Sequence, residues 1–169
     1  SCEFCNEIII IDSGSTDRTI DIAKKYTDKI RQKPFINFLD QRQYALDQAT
    51  SEWVLFLDAD ERVLENLKKA IEDFCKQDIY STLLIPRKNL IHNTWVKYSG
   101  WYPDFQIRLI RREGASFEAK IVHEQLKING EAKYLDPNKD QDIIHYTYRD
   151  FSHYIEKINK YTTLEAEYY

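Results

Sequence analysis

Two aspartates, Asp58 and Asp60, follow the apolar run 53–57 and are well suited to hold a divalent cation. Five apolar residues without helical periodicity predict a strand covered on both faces, as in the parallel sheets of α/β proteins. If the extended backbone continues, the two carboxylates lie about 6.5 Å apart on the same side. Their repulsion favours Mg²⁺ or Mn²⁺, which usually share their coordination with substrate phosphates. The pair predicts metal-assisted chemistry on a phosphorylated substrate; the alternative is a solvated acidic turn.

The rest of the first half supplies the elements that must position such a site. Apolar runs predict two further strands, over 7–12 and 29–35. Helical periodicity predicts helices over about 16–29, 39–49 and 61–76. Strand and helix therefore alternate three times, which is typical of an open α/β sheet.

The second half follows a different pattern, in which short strands are separated by polar loops. Strands are predicted over 81–87, 94–99, 105–112, 131–135 and 142–148, with a weak pattern over 117–126 and a closing helix from about 150. This half therefore predicts a mixed, partly antiparallel extension of the sheet.

The composition limits the class of protein. With 169 residues the chain suits one domain with a sizeable core. The 24 basic and 28 acidic side chains give a net charge of −4, which argues against nucleic-acid binding. No apolar run approaches the roughly 18 residues of a membrane span and no secretory signal opens the chain, so we expect a soluble cytoplasmic protein. Cys2-x-x-Cys5 lacks the second ligand pair of a zinc site, and an odd number of cysteines fits a reducing compartment.

Several motifs follow one another along the chain. They are Ile10-Ile11-Asp12-Ser13-Gly14-Ser15-Thr16-Asp17, Arg42, Asp58-Ala59-Asp60, the stretches 100–104 and 105–112, Val122-His123-Glu124 and Ile144-His145-Tyr146. In this order they resemble the family-2 glycosyltransferases of the GT-A fold, which transfer a sugar from a nucleotide-diphosphate donor. The motifs of the second half are similar to the lipopolysaccharide core glucosyltransferase branch. The resemblance covers nearly the whole chain.

The resemblance implies a fold class and a domain organisation. The fold is α/β, a GT-A type open mixed sheet flanked by helices, and it lacks the first strand because the chain starts at the family's second strand. A single glycosyltransferase domain covers 1–169, with a donor-binding half over 1–80, an acceptor half over 81–149 and a C-terminal helix over 150–169.

The resemblance also implies the donor site. Asp60 holds the metal, while Asp58 contacts the donor ribose and the ion; Asp12 contacts the nucleotide base, and Arg42 pairs with base or phosphate. The remaining donor-binding residues are Ser13, Gly14 and Ala59. The cation, Mg²⁺ or Mn²⁺, neutralises the charge that develops on the departing diphosphate. The alternatives are a strand-end cap for Asp12 and a solvated helix face for Arg42.

The catalytic base has two candidates. Glu124 stands where the family carries its acid pair, although that pair is replaced by His123-Glu124 here. Asp104 is the second candidate, because Trp101 and Tyr102 beside it are suited to stack against an acceptor sugar. The alternatives are an exposed loop acid for Glu124 and a turn residue after proline for Asp104.

Two further side chains are candidates for the site. His145 is a candidate metal ligand or phosphate contact, against the alternative of a structural histidine. Arg108 suits an acceptor that bears phosphate, against the alternative of a solvated strand edge.

The function that follows from the resemblance is inverting transfer of a sugar, with a UDP-sugar as the expected donor, to a glycan or lipid-linked acceptor. The setting is the bacterial cytoplasm, with peripheral contact at the inner membrane surface, as in lipopolysaccharide core or cell-surface polysaccharide synthesis. An aspartyl phosphatase using Asp58 and Asp60 is disfavoured because Arg62 occupies the place of a required hydroxyl residue. The other alternative is an inactive, truncated remnant that acts as a binding or interaction module.

Overall fold

The computed structural model describes the backbone of residues 1–119, 124–148 and 150–168, and their side chains except those of 118, 119, 124, 125, 160, 161 and 164–168. The elements in chain order are β1 (Ile10–Asp12), α1 (Thr19–Ala23), β2 (Ile30–Gln32), α2 (Phe38–Gln48), β3 (Trp53–Leu55), β4 (Glu61–Val63), α3 (Glu65–Gln77), β5 (Thr82–Ile91), β6 (Thr94–Trp95), β7 (Asp104–Arg111), β8 (Ser116–Ala119), β9 (Glu124–Lys127), β10 (Ala132–Tyr134), β11 (Ile143–Tyr148) and α4 (Phe151–Tyr168). Within the described ranges, none of these helices combines the length and apolar character that crossing a membrane requires.

The strands of the described residues form three sheets. β1 and β2 pair in parallel, and β8 and β9 pair antiparallel. The largest sheet has seven strands in the order β3-β7-β5-β11-β4, and both β6 and β10 pair with β5. β11 runs parallel to β5 and antiparallel to β4, so this sheet is mixed. The mixed α/β architecture expected from the sequence is confirmed.

Two helices form where the sequence predicts them. α2 begins after Asn37, whose side-chain oxygen accepts a hydrogen bond from the backbone N–H of Asp40. α3 buries Leu67, Ile71 and Phe74 on one face, as its periodicity requires. Leu64, which we expected on the same face, precedes the helix and is 54% exposed.

The first helix is shorter than predicted. α1 covers five residues, whereas the apolar spacing predicts a helix over 16–29. Ala23 is the buried residue of α1, and Tyr26 beyond its end is 56% exposed. Apolar residues at helical spacing add little stability to a helix when no other element buries them, because most helical stability comes from burial of one face.

The strand before the acidic pair also differs from the prediction. β3 is only three residues long, its side chains are partly exposed, and it pairs antiparallel with β7. The expected strand covered on both faces in a parallel sheet is therefore wrong. The chain leaves β3 at Leu55, turns at Asp58 to Glu61, and enters β4, a strand that the sequence pattern assigned to the next helix.

The chain forms two compact units. The first comprises Ser1–Phe56, Ile71–Leu84 and Ile107–Lys133, and the second comprises Leu57–Ala70, Ile85–Gln106 and Tyr134–Tyr169. The first unit buries Leu46, Phe74, Leu83 and Ile110, and the second buries Val63, Leu67, Ile85 and Ile143. Each unit draws on both sequential halves, and the division into a donor half and an acceptor half stays a prediction.

Candidate functional site

The acidic pair lies in a tight turn of the second unit. The backbone N–H of Glu61 donates to the carbonyl oxygen of Asp58 at 2.9 Å, and the backbone N–H of Asp58 donates to Oε2 of Glu61 at 3.1 Å. Asp58 is exposed, Asp60 is partly exposed and Glu61 is buried. The extended geometry expected through the pair is therefore wrong, because the backbone folds back on itself at this point.

The turn presents Asp60 to His145 on the neighbouring strand. β11 runs antiparallel to β4 with His145 opposite Glu61, and the N–H of Tyr146 donates to the carbonyl oxygen of Asp60 at 2.9 Å. His145 Nε2 lies 3.4 Å from Asp60 Oδ2, and the two side chains are 12% and 41% exposed. Burial raises the pKa of Asp60, but the hydrogen bond and charge of His145 outweigh it and hold that pKa below its usual range. Asp60 is therefore an ionised, accessible carboxylate beside an imidazole.

A buried amide continues the contacts behind His145. Nδ1 of His145 lies 2.6 Å from Oδ1 of Asn89, which is opposite it in the parallel register of β5 and β11. Nδ2 of Asn89 donates to Oδ2 of Asp104 at 3.0 Å. The Thr147 hydroxyl lies 2.9 Å from Nδ1 of His145 and 3.2 Å from Oδ1 of Asn89. Asn89 is 5% exposed, so these contacts are sheltered from water.

Arg87 links Asp104, which accepts a hydrogen bond from Asn89, back to the acidic turn. Its Nε and Nη2 lie 2.9 Å and 2.8 Å from Oδ2 of Asp104, and its Nη1 lies 3.1 Å from Oε1 of Glu61. Since Oε2 of Glu61 accepts the N–H of Asp58, the chain of contacts that leaves the turn at Asp60 returns to it at Glu61. We call this set Asp60, His145, Asn89, Asp104, Arg87 and Glu61 the turn network. A network in which every member is hydrogen-bonded fixes the turn that carries the acidic pair.

No sequence motif indicated Arg87, Asn89 or Glu61 as members of the site. One signal was present, because Arg87 and Asn89 are two residues apart in a predominantly apolar strand and therefore lie on the same face. Two polar side chains on one face of such a strand require buried partners. Nothing in the sequence identified those partners, because the pairing of β5 with β11 joins residues far apart along the chain.

Asp104 has the environment of a structural carboxylate. Gln106 donates to its Oδ1 at 2.6 Å, while Arg87 and Asn89 donate to its Oδ2. Burial raises the pKa of Asp104, but the hydrogen bond from Asn89 and the charge of Arg87 hold that pKa below its usual range. A base with a lowered pKa accepts a proton poorly near neutral pH, so this environment disfavours Asp104 as the base.

The site offers only some of the ligands that a cation needs. Among the residues that the structure describes, no group of three His, Cys, Asp or Glu side chains is arranged to hold a metal, so the expected trio of Asp58, Asp60 and His145 is not assembled. Asp60 and His145 do present an oxygen and a nitrogen 3.4 Å apart. Two protein donors suit an ion that completes its coordination with water and substrate phosphates.

The predicted donor loop lies in the first unit. Asp12 is 4% exposed, and its Oδ2 accepts the backbone N–H groups of Gly14 and Ser15 at 3.0 Å each. The hydrogen bonds from the hydroxyl and the N–H of Ser15 hold the pKa of Asp12 below its usual range. Gly14 adopts φ +96°, a conformation that favours glycine, and Gln41 of α2 donates to the hydroxyl of Ser13 at 3.0 Å. Asp12 therefore caps the end of its strand, and its contact with a nucleotide base stays a prediction.

Arg42 lies on α2 in the same unit and is partly buried, so a fully solvated helix face does not describe it. α2 packs on β1, the strand that ends at Asp12. This placement is compatible with the predicted donor contact, which no contact of the structure tests.

The predicted acceptor wall is packed on one side. The Tyr102 hydroxyl lies 2.7 Å from the carbonyl oxygen of Pro137 and 2.8 Å from Oδ1 of Asp142, and its ring meets Trp95 edge-on at 5.0 Å. Burial and the neighbouring Asp142 raise the pKa of Tyr102. Tyr102 and Trp101 are both partly exposed, so stacking against a sugar stays a prediction.

Three predicted residues remain. Glu124 is the first residue of β9, but its side chain lies outside the described residues, and so does the whole of His123. Arg108 is 1% exposed, so the expected solvated strand edge is wrong. Such burial also argues against a direct contact between Arg108 and an acceptor.

The comparisons with known proteins decide the family. Residues 6–126 match the model described as glycosyl transferase family 2, which is most of the chain. The chain belongs to glycosyl transferase family 2. The resemblance seen in the sequence is confirmed, and so is the GT-A class of α/β fold that it implied.

Two of the relatives match this family-2 chain along almost its whole length, and a solved structure matches half of it. The lipopolysaccharide core biosynthesis glycosyltransferase LpsC of Rhizobium meliloti (strain 1021) is 29% identical over 178 residues, covering 99% of this chain and 63% of LpsC. An uncharacterised glycosyltransferase of Rickettsia typhi is 28% identical over 172 residues, covering 96% of this chain and 58% of that protein. The crystal structure of S. aureus TarS 1–349 in complex with UDP-GlcNAc has a TM-score of 0.42 and 30% identity, covering 50% of this chain and 26% of that chain. The chain spans about three fifths of the length of the curated relatives it matches.

Proposed function

We propose that this family-2 chain carries the catalytic domain of an inverting glycosyltransferase. It moves a sugar from a nucleotide-diphosphate donor, with UDP as the nucleotide, to a glycan or lipid-linked acceptor. The observation that carries the proposal is the ionised Asp60 beside His145 in a turn fixed by a buried polar network. This is the position at which the sequence resemblance requires the metal and diphosphate motif.

The cation of the proposal is Mg²⁺ or Mn²⁺, held by Asp60 and His145 with the exposed Asp58 available from the same turn. Mg²⁺ binds almost entirely through oxygen ligands, so an imidazole donor favours Mn²⁺. When bound, the ion supplies charge neutralisation for the departing diphosphate. The chain's own contribution is to hold the Asp60 carboxylate ionised and its turn rigid through Glu61 and Arg87.

Donor recognition in the proposal follows the residues that the sequence resemblance names. The loop of Asp12, Ser13 and Gly14 and the side chain of Arg42 contact the nucleotide. Asp58 contacts the ribose. Ala59 lies between Asp58 and Asp60 and is assigned to the same donor contact. The support is the order of the motifs along a chain that matches the family model from residue 6 to residue 126. A single acceptor hydroxyl then attacks the sugar from the side opposite the diphosphate, which inverts its configuration.

The general base in the proposal is Glu124. Its support is the match of Val122-His123-Glu124 to the place of the family's acid pair, together with the poor suitability of Asp104. A partly desolvated carboxylate in a cleft has its pKa raised toward neutrality and can accept the proton of the attacking hydroxyl. Asp104 then acts through the turn network without touching the acceptor.

The acceptor class in the proposal is a lipopolysaccharide core or other cell-surface glycan. LpsC, a relative along almost the whole of this chain, is named for lipopolysaccharide core biosynthesis. Trp101 and Tyr102 are the residues that we assign to the acceptor sugar, because partly exposed aromatic rings give flat apolar surfaces against which a sugar can stack.

The cellular location in the proposal is the cytoplasm, with peripheral contact at the inner face of the cytoplasmic membrane. The segment that leads from β2 into the first residue of α2 supports this contact, because Phe35, Ile36 and Phe38 are 50%, 71% and 52% exposed. The rings of Phe35 and Phe38 meet edge-on at 5.1 Å, so they form one exposed apolar cluster, and such clusters mark interaction surfaces. Co-sedimentation with anionic phospholipid vesicles should fall in an Ile36→Ser variant, and unchanged binding would remove this part of the proposal.

The direct test of the proposed activity is the release of UDP from UDP-glucose in the presence and absence of Mn²⁺. Water replaces the acceptor slowly in such an assay, so no acceptor has to be known. We expect release that depends on Mn²⁺ and falls at least about 100-fold in Asp60→Ala. An Asp73→Ala variant, which removes an exposed acid of α3, is the control and should match the unmodified chain. Equal release by Asp60→Ala and the unmodified chain would contradict the proposal.

A further inference from the structure

Gln43 joins α2 to the antiparallel pair of β8 and β9 through one end of its amide. Its Oε1 accepts a hydrogen bond from the backbone N–H of Phe117 at 2.7 Å, and its Nε2 donates to Oδ1 of Asp47 at 2.7 Å, one turn further along the helix. A backbone N–H can only donate, so this contact fixes which end of the amide faces β8. The helix and the strand pair both belong to the first compact unit.

This hydrogen bond reaches the outer edge of β8. Phe117 is opposite Leu126 in the register of β8 and β9, and its N–H points to α2 instead of β9. Among the residues that the structure describes, this sheet has only two strands, so the outward N–H groups of β8 have no strand partner. An isolated pair of strands is marginally stable at best, so its position depends on the element that it packs against.

The strand pair carries the backbone of the candidate base. α2 packs on β8, and the ring of Phe117 meets the ring of Phe56 edge-on at 5.4 Å. Glu124 begins β9, two residues before the residue that pairs with Phe117. Because paired strands share one ladder of hydrogen bonds, a shift of β8 also moves the backbone of Glu124.

Gln41 makes an equivalent contact on the other side of α2. Its Nε2 donates to the hydroxyl of Ser13, in the predicted donor loop, at 3.0 Å. A helix turns by about 100° per residue, so side chains two residues apart point to nearly opposite sides. α2 therefore contacts the predicted donor loop through Gln41 and the strand pair through Gln43, and Arg42 lies between them.

We propose that Gln43 is a positioning residue that holds the backbone of Glu124 in place through β8. The inference rests on the proposed function, in which Glu124 is the general base. Gln43 acts through the strand pair and touches neither the donor nor the acceptor. Displacement of a catalytic group by about 1 Å can cost a factor of about 100 in rate, so the loss of this hydrogen bond should appear in kcat. Donor binding uses the other side of α2 and should hardly change.

Four variants separate this role from a merely structural one. Gln43→Leu removes the accepting oxygen from Phe117. Gln43→Glu restores that oxygen and loses only the donor to Asp47, with a small like-charge repulsion four residues along the helix. Asp47→Ala is the matched control, because it removes the second contact of Gln43 and leaves the oxygen at Phe117 in place. Gln41→Leu is the contrast on the other side of α2. All are made in the full chain, and the folded state is checked by circular dichroism.

The first readout is amide hydrogen exchange in β8 and β9, measured by NMR without any ligand. We expect both strands to exchange about 5-fold faster in Gln43→Leu and at nearly the unmodified rate in the other three variants. The second readout is the release of UDP from UDP-glucose, with the affinity for UDP measured separately by calorimetry. We expect kcat to fall about 10- to 100-fold in Gln43→Leu at unchanged UDP affinity, and most of it to return in Gln43→Glu. Gln41→Leu should weaken UDP binding instead.

The results that overturn the inference differ from those that overturn the proposed function. If β9 exchanges no faster in Gln43→Leu, or if Asp47→Ala has the same effect, the amide oxygen does not hold the strand pair. If Gln43→Leu weakens UDP binding and leaves kcat unchanged, or if Gln43→Glu fails to restore kcat, the hydrogen bond to β8 does not position the base. If the unmodified chain releases no UDP although β9 responds to Gln43 as expected, the proposed function is wrong, and the role of Gln43 in placing a base is wrong with it.

Discussion

Replacing Arg87 by methionine removes the one cation that two acids of the turn network share. Nη1 of Arg87 lies 3.1 Å from Glu61, and Nη2 lies 2.8 Å from Asp104. The side chains of the three residues are 18%, 0% and 24% exposed in the order Arg87, Glu61, Asp104, so water cannot replace the guanidinium at Glu61. Methionine preserves much of the volume, which limits the change to the loss of charge and hydrogen bonds.

The expected cost follows from the two carboxylates that lose the charge and hydrogen bonds of the guanidinium. Removing one partner of a buried ion pair typically costs 3–5 kcal/mol, and the partial exposure of Asp104 places Arg87→Met at the lower end, at about 3 kcal/mol near neutral pH. For a chain of this size such a loss lowers the melting temperature by roughly 6 to 12 °C. The lowered pKa of Asp104 means that its contribution is present above the ordinary carboxylate pKa and is lost as pH falls through the lowered value. The difference between the two proteins should therefore be largest at neutral pH and shrink below a pH of about 4.

Urea denaturation of both proteins between acid and neutral pH measures this cost. Lys76→Met is the matched control, because Lys76 belongs to an exposed pair with Asp73 and its side chain is 75% exposed. An exposed pair contributes about 0–1 kcal/mol, so the control should hardly change stability. If Arg87→Met costs no more than Lys76→Met at neutral pH, the turn network does not stabilise the folded chain and the prediction is wrong.

Two further predictions concern stability. The hydrogen bond from Lys29 lowers the pKa of Glu7 to about 2, so the stability that Glu7 provides is present above its ordinary pKa and is lost as pH falls toward 2. Glu7→Gln should cost about 1–2 kcal/mol at neutral pH and almost nothing at the acid end, and acid titrations of stability in which it behaves like the exposed-site control Glu3→Gln throughout would contradict this. Tyr102→Phe removes a hydroxyl that lies 2.8 Å from the buried Asp142 and should cost about 2 kcal/mol in urea denaturation. A loss below about 0.5 kcal/mol would show that the hydroxyl is dispensable there.

Local patterns in the sequence predicted the elements whose residues pack as their spacing suggests. α3 is the clearest case, because Leu67, Ile71 and Phe74 are buried on one face as the helical period requires. α1 failed because its spacing is helical but its outer residues are not covered; Tyr26 is 56% exposed. Periodicity predicts a helix only to the extent that another element buries the apolar face.

Strand pairing accounts for the errors at the acidic turn and in β5. Glu61 was assigned to a helix start, yet it lies in β4 because it pairs with His145 and its carboxylate reaches Arg87. β5 was expected to end at Arg87, but it continues to Ile91 because that part of it pairs with β6 and β11. These contacts join residues that are far apart along the chain, and no local pattern contains them.

The sequence predicted members of the candidate site only through its motifs. Asp60 and His145 were both named from the sequence, and the structure brings them within 3.4 Å. The buried amide and guanidinium behind them were not named, because their function depends on partners that only the folded sheet brings together. Sequence motifs thus named Asp60 and His145, and the structure identified the groups that hold them in place.

We propose that Asp60 and a divalent cation bind the diphosphate of a nucleotide-sugar donor. Calorimetric titration of UDP-glucose and of free UDP, with and without Mn²⁺, tests it most directly in three proteins: the unmodified chain, Asp60→Ala and the control Asp73→Ala. We expect binding heat that requires Mn²⁺, is retained in the control and is lost in Asp60→Ala. A folded chain that gives no metal-dependent heat, or an Asp60→Ala variant that binds as well as the control, would contradict it.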